Sequence, residues 1–259
     1  MSEPSSPEDL KLPGVFRYGA FYDLLADAAF QHKHAANAAE AADGYSSQRF
    51  ARASILASAL GVECAANCLM ATLDIPKALL EELDRMPPLA KIDACLRLRG
   101  LPSIAYGMRE VQAIRELVTI RNQHVHPRAT NLPAELSTPQ DADTHWMLPM
   151  SLEGEYWPIL KIPKQPMFWS NESSQAVLQA VTSFHRYLFQ TLMAINDDDL
   201  QKMLSSRLEV GEMHMMAVFD EIRLELEGAK QWGADLEFLG VFLPPGSAPL
   251  PPFHPRKSD

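Results

Sequence analysis

Cysteine is scarce in this chain of 259 residues: there are three, at positions 64, 68 and 95. They are too few and too badly spaced for a disulfide framework. Cys64 and Cys68 lie four apart on a predicted helix, share a face and read as packed free thiols, which fits a reducing cytoplasm. Long apolar runs are missing as well. No stretch approaches the roughly 18–20 consecutive apolar residues of a membrane span. Met1 to Lys11 is polar and acidic, without the basic start and apolar centre of a secretory leader. The expectation is a cytoplasmic protein without membrane contact. No glycine-rich loop of the Walker or Rossmann kind occurs, nor a Gly-x-Ser-x-Gly elbow, which counts against kinases, dehydrogenases and α/β-hydrolases. Histidines 32 and 34, like 124 and 126, are two apart. On a helix such pairs point about 200° apart and make no ready metal site; no cofactor is expected. Basic charge is in deficit, 23 Lys and Arg against 33 acids for a formal charge of −10, which excludes a wholly basic nucleic-acid binder.

What is present is ordinary globular composition, 47% hydrophobic and 22% charged. The pattern predicts a mainly α fold, an antiparallel helical bundle with a small β-hairpin or irregular insertion. Residues 1–15 read as a disordered lead-in, 16–243 as one helical domain with the insertion at 129–171, and 244–259 as a proline-rich tail, either passive or a ligand for an SH3-type domain. Helices are expected over 18–42, 46–73 (capped by Ser46 or Ser47), 77–84, 87–99, 108–125 and 173–195. A last long helix is expected from Asn196 to about Glu227, weakened by Gly211 and packing Met213, Met215 and Met216 in the core. In the insertion, alternation at Trp146, Leu148 and Met150 and again at Tyr156, Leu160 and Ile162 predicts strands flanking a turn at 153–155. A short strand is expected over 236–243.

In the second helix, Leu56, Leu60, Glu63, Asn67 and Met70 recur at steps of 4, 3, 4 and 3, so two polar residues share an apolar stripe. Glu63 is then either an exposed residue at the end of the stripe or a cleft-facing carboxylate awaiting a cation. In the fifth helix, Arg121 sits on the stripe of Val111, Ile114, Val118 and Val125. His126 closes the helix before Pro127.

Arg121 carries a permanent planar donor fork suited to phosphate. His126 is of the one residue type whose ordinary pKa lies near neutrality, so it can give or take a proton. These are two requirements of metal-free RNA cleavage: proton transfer at the 2′-hydroxyl or leaving oxygen, and a cation on the developing phosphate charge. Five residues of helix separate the two by about 7.5 Å of rise and about 140°. They converge only if the last turn loosens or two chains each contribute a pair. His124 lies closer to the face of Arg121 and competes for the role. A satisfied helix-end pair without chemistry is the other reading.

The run Leu117-Val118-Thr119-Ile120-Arg121-Asn122, followed after three intervening residues by His126, resembles the signature of the HEPN domains (higher eukaryotes and prokaryotes nucleotide-binding). In that signature Arg is followed after four to six residues by His, often with Asn directly after the Arg. The segment Ser54 to Asn67 looks like the helix such proteins pack before it, and the resemblance covers about residues 46–128. It implies an all-α bundle that dimerises with two motifs facing one cleft. Many members are metal-independent endoribonucleases, acting as toxins or in phage defence; others are non-catalytic nucleotide-, RNA- or protein-binding modules. Carried over, Arg121 and His126 would be the catalytic pair and Asn122 would help orient them; His124 and Glu63 are supporting candidates from the residue pattern alone, Glu63 as a partner that would orient Arg121 or quench it. RNA or a nucleotide, a second copy, and an antitoxin or regulatory protein are the implied partners. Some toxin members have tyrosine two residues after the histidine; here Arg128 stands there, so regulation through that tyrosine is not implied.

Between Arg85 and Arg128 there are eight Lys and Arg against three acids, Asp93, Glu110 and Glu116. The motif thus lies in a segment of charge +5 within an acidic chain. That segment is either a phosphate-facing patch or a set of helix faces neutralised by acids from elsewhere.

Overall fold

A computed structural model describes residues 13–127, 129, 131–136, 150–152, 154–211, 213–216 and 220–240. In chain order the elements are β1 (Val15–Arg17), α1 (Phe21–Glu40), α2 (Gly44–Met70), α3 (Lys77–Asp84), α4 (Pro88–Leu98) and α5 (Arg109–Val125). The hairpin strands β2 (Ala134–Leu136) and β3 (Met150–Leu152) follow. Then come α6 (Asn171–Arg186), α7 (Asp197–Leu204), β4 (Arg207–Val210), β5 (Met213–Met216) and α8 (Asp220–Gly228). The fold is mainly α, with two small antiparallel sheets among the described residues.

Alanine makes the first helical hairpin. It has the highest helix propensity and the smallest side chain that still restricts the backbone. Ala28, Ala29, Ala35 and Ala51 are all fully buried. Their small size lets α1 and α2 approach until the Ser54 hydroxyl donates to the Ala28 carbonyl at 2.8 Å. Asp43, not Ser46 or Ser47, caps α2: its carboxylate accepts from the Ser46 N–H at 3.0 Å. The buried row of α2 is Ile55, Ala59, Val62, Ala66 and Leu69. It keeps the predicted steps of 4, 3, 4 and 3 but is displaced by one residue, because alanines supply core contacts that larger side chains had seemed to mark. Leu60, on the predicted stripe, is 42% exposed. By length and composition α2 could cross a bilayer, but 61% of its most apolar window is buried within the protein.

α2 packs against α1, α4, α5, α6 and α7 and forms the centre of the bundle. On α5 the buried row is Val111, Ile114 and Leu117 with Ala113 and Ile120 beside it. Val125 is exposed, so the expected stripe drifts off the core in the last turn. α6 brings His185 into the interior, in edge contact with Phe21 and stacked on Phe189. Neither of its ring nitrogens has a hydrogen-bond partner among the described residues, and burial pushes its pKa down to about 3. His32 of α1 is also buried. The Ser174 hydroxyl donates to the Asn171 carbonyl, so it accepts from His32 Nδ1 at 2.8 Å. Burial lowers the pKa of His32 to about 4.

Three expected elements differ. The single helix over 196–227 is instead α7, a hairpin and α8. Asn196 and three aspartates do start a helix, with the Asn196 side chain accepting from the Asp199 N–H at 2.9 Å. It ends at Leu204, and Arg207 to Val210 extend into a strand. Gly211, at φ +59°, is the left-handed turn of the hairpin rather than a weak point in a helix. β4 lies between β1 and β5, with Phe16 opposite Leu208 and Leu208 opposite Met215. Met213 is 64% exposed rather than core. In the insertion, β3 pairs back to β2 (Ala134 opposite Leu152) instead of across 153–155, and Tyr156 bridges Pro163. Trp146 and Leu148 lie outside the described residues. Glu237–Leu239 is a single 3₁₀ turn where a strand was expected. The segment 1–12, Arg128 and the proline-rich tail also lie outside the described residues.

Two glycines separate backbone strain from crowding. Gly100 (φ +69°) has open space where a Cβ would stand, whereas a Cβ on Gly240 (φ +66°) would come within 2.8 Å of Asp197 Cβ. Gly100→Ala is expected to cost about 1 kcal/mol, the price of a left-handed alanine alone. Gly240→Ala should cost clearly more. Urea unfolding of the two variants measures the difference, and equal losses would contradict it.

Candidate functional site

The end of α5 is set by its last two residues. Pro127 disfavours helical dihedrals at His126, whose φ and ψ are −122° and 66°. The His126 N–H still donates to the Asn122 carbonyl at 3.1 Å, so the helix finishes without a loosened turn. His126 is exposed at the C-terminus of this helix.

One turn earlier, Arg121 leaves the helix toward α2. Its Nη2 is paired with the Glu63 carboxylate, and its Nη1 donates to Asn122 Oδ1 at 2.9 Å. The side chains of Arg121 and Glu63 are 30% and 27% exposed. This is a wet pair. It orients the guanidinium while contributing about 0–1 kcal/mol, and an incoming anion can share it. Asn67, the other polar residue of the α2 row, accepts from Lys91 Nζ at 2.8 Å. Lys91 is itself buried and pairs with Asp84 at 2.9 Å. Both polar positions on α2 thus face a cation.

Arg121 hydrogen-bonds to neither histidine. His126 and His124 face a different space, a groove of about 540 Å³ between the end of α5 and residues 164–169. The His124 ring is half-buried and stacks on Trp169, with centroids 6.4 Å apart and planes 22° apart. The predicted residues therefore divide into two clusters on one helix end: Glu63, Arg121 and Asn122 on the α2 side, His124 and His126 on the groove side. Asn122 borders both.

The second wall of the groove was not foreseen. Glu116 accepts from the Ile159 N–H at 3.0 Å and from the Leu160 N–H at 2.8 Å, clamping a loop to α5. The loop closes on itself through Trp157 N–H to the Ile162 carbonyl (2.9 Å) and Lys164 N–H to the Glu155 carbonyl (2.7 Å). Trp169 is 1% exposed and spends its indole N–H on the Pro163 carbonyl at 2.7 Å. Lys164 and Gln165 are presented to the groove by this frame. Only one local signal pointed to Glu116: Ala113 and Ile120, at i−3 and i+4, set it beside the buried row.

The positive segment is partly neutralised locally. Arg85 pairs with Glu82, Lys91 with Asp84, Arg97 with Asp93 and Arg121 with Glu63. Arg109 and Arg115 are exposed without an ion-pair partner among the described residues. The +5 count is thus a weaker field than the sequence implied. No group of three metal-ligating side chains occurs among the described residues.

No family model, no curated protein and no solved structure matches this chain.

Proposed function

We propose that the chain is a HEPN-like, metal-independent endoribonuclease of the toxin or phage-defence kind, working in the cytoplasm as a homodimer. The observation that carries the reading is the end of α5. It holds an oriented but wet guanidinium at Arg121 and an exposed imidazole at His126, beside a groove whose lining among the described residues includes no carboxylate. His126 is the proton-transfer group at the 2′-hydroxyl or the leaving oxygen. Arg121, turned by Glu63 and Asn122, stabilises the charge that builds on the phosphate. The two side chains diverge within one chain, so the composite site needs a second copy, each chain giving its pair to a shared cleft. An antitoxin or regulatory protein would act by covering that cleft.

A second reading, a non-catalytic nucleotide-, RNA- or protein-binding module, draws support from the Glu63–Arg121 pair, which already compensates the guanidinium. Incubation of the purified protein with mixed RNA in EDTA separates the two. Cleavage by the wild type is expected, with His126→Ala and Arg121→Ala each slower by about 10²–10³-fold. No cutting by the wild type, or variants that both cut as fast as the wild type, rejects the enzyme.

A further inference from the structure

We propose that the groove between the end of α5 and residues 164–169 is a subsite for one unpaired nucleotide of an RNA strand, next to the phosphate at His126. This deepens the endoribonuclease reading and rests on it for the identity of the polymer.

Charge makes the first argument. In a chain with ten more acids than bases, no carboxylate lines this groove among the described residues. Glu155 stays outside the lining, paired with Lys164. An anionic ligand meets only the Glu155 carboxylate, with which it shares the cation of Lys164, a side chain that also lies over the Trp157 ring at 5.8 Å. That lysine is 39% exposed in its side chain, so its existing pair is wet and can be shared with phosphate.

The polar lining makes the second. Asn122, Gln123 and Gln165 present side-chain amides, each carrying donors and an acceptor without charge. Asn122 Oδ1 is taken by Arg121, which leaves its NH₂ available. Neutral groups of mixed donor and acceptor character match the edge of a nucleobase. They match neither a purely apolar ligand nor a bare inorganic anion. The third argument is the His124 ring. Trp169 backs it and is itself fixed by its indole hydrogen bond, so His124 is a plate held at one tilt. Bases of unpaired RNA stack on such rings.

The volume, about 540 Å³, lies within the range of small-ligand pockets. It takes a base and its ribose, and a base can enter only when it is not paired. In an A-form duplex the base edges are engaged and the deep groove is closed to side chains. The substrate class is therefore single-stranded RNA.

The test uses the full chain and labelled 2′-O-methyl oligonucleotides. These lack the 2′-hydroxyl proton and survive the incubation. Fluorescence anisotropy is expected to show single strands bound about 10-fold more tightly than the same sequence as a duplex. The double variant Lys164→Ala/Gln165→Ala should bind single strands about 10-fold more weakly at an unchanged melting temperature. Thiouridine in the strand should cross-link to the tryptic peptides that begin at Asn122 and Gln165. Equal binding of duplex, an unaffected double variant, or cross-links confined to other peptides would overturn the subsite. If the wild type cleaves RNA while the double variant binds and cleaves normally, the subsite falls and the nuclease stands. If single strands bind through these peptides but are never cut, the nuclease falls and the subsite stands. No binding of any strand overturns both.

Discussion

Lowering the pH from 7 to 4 is expected to destabilise the fold by about 3 kcal/mol at each of two buried histidines. In the unfolded chain both titrate near 6.5. In the fold burial holds His185 at about 3 and His32 at about 4. Between pH 6.5 and 4 the unfolded state therefore binds protons that the folded state refuses. Stability is complete above 6.5 and falls as the pH drops toward the folded values. The native interior offers the imidazolium of His185 no acceptor, only Phe21, Phe184 and Phe189. Thermal melts from pH 7 to about 5.5 measure the slope above the range where ordinary carboxylates protonate. His185→Leu, which keeps an apolar group in place, should remove about half of that slope. Parallel curves for wild type and variant would show that His185 does not control the acid response.

Glu116→Ala is expected to release residues 156–165 from α5 at a cost of about 3 kcal/mol. The carboxylate is the acceptor for two successive backbone N–H groups, at 3.0 and 2.8 Å. Hydrogen bonds to an ionised acceptor are worth about 1.5–3 kcal/mol each, and a stranded buried donor adds its desolvation penalty. Leu160 and Ile162, 5% and 2% exposed, depend on the same docking. Hydrogen exchange should accelerate in 156–165 while α1 and α2 stay protected. Glu116→Gln should fall between the two, because one amide oxygen replaces two charged ones. Unchanged exchange in Glu116→Ala would mean that apolar packing alone holds the loop. The nucleotide subsite shares this frame, so its loss in the same variant is expected as well.

The contrast between these two features marks how far the sequence could be read. Helices from Gly44 to Val125 were legible because apolar residues recur at helical spacing and prolines punctuate them. The row on α2 was misplaced by one residue because alanine, counted as bland, is what lets α1 approach. Even so, Glu63 and Asn67 stood out as polar interruptions, and each faces a cation, Arg121 and Lys91. The β4–β5 hairpin was hidden by Met and Glu, residues that suit either state, so that Gly211 looked like a flaw rather than a turn. The groove was illegible for another reason. Glu116 meets a loop 43 residues further along the chain, and no local pattern reports such a pairing. Arg121 and His126 could be named from sequence, but not that they face two different neighbourhoods.

β1 is joined to β4 across almost the whole described chain, and the Gly19 N–H donates to the Ser206 hydroxyl 187 residues away at 3.0 Å. During synthesis the α1–α2 hairpin, whose contacts are local, can form as soon as it leaves the ribosome. β1 emerges before it and waits for β4. The strand made earliest is thus paired among the latest, and for most of translation its backbone donors and acceptors stand open beside the exposed side chains of Val15 and Phe16. A growing chain has both edges of β1 open; pairing with β4 covers one, and the other has no strand partner among the described residues even in the folded sheet, where β1 is an outer strand.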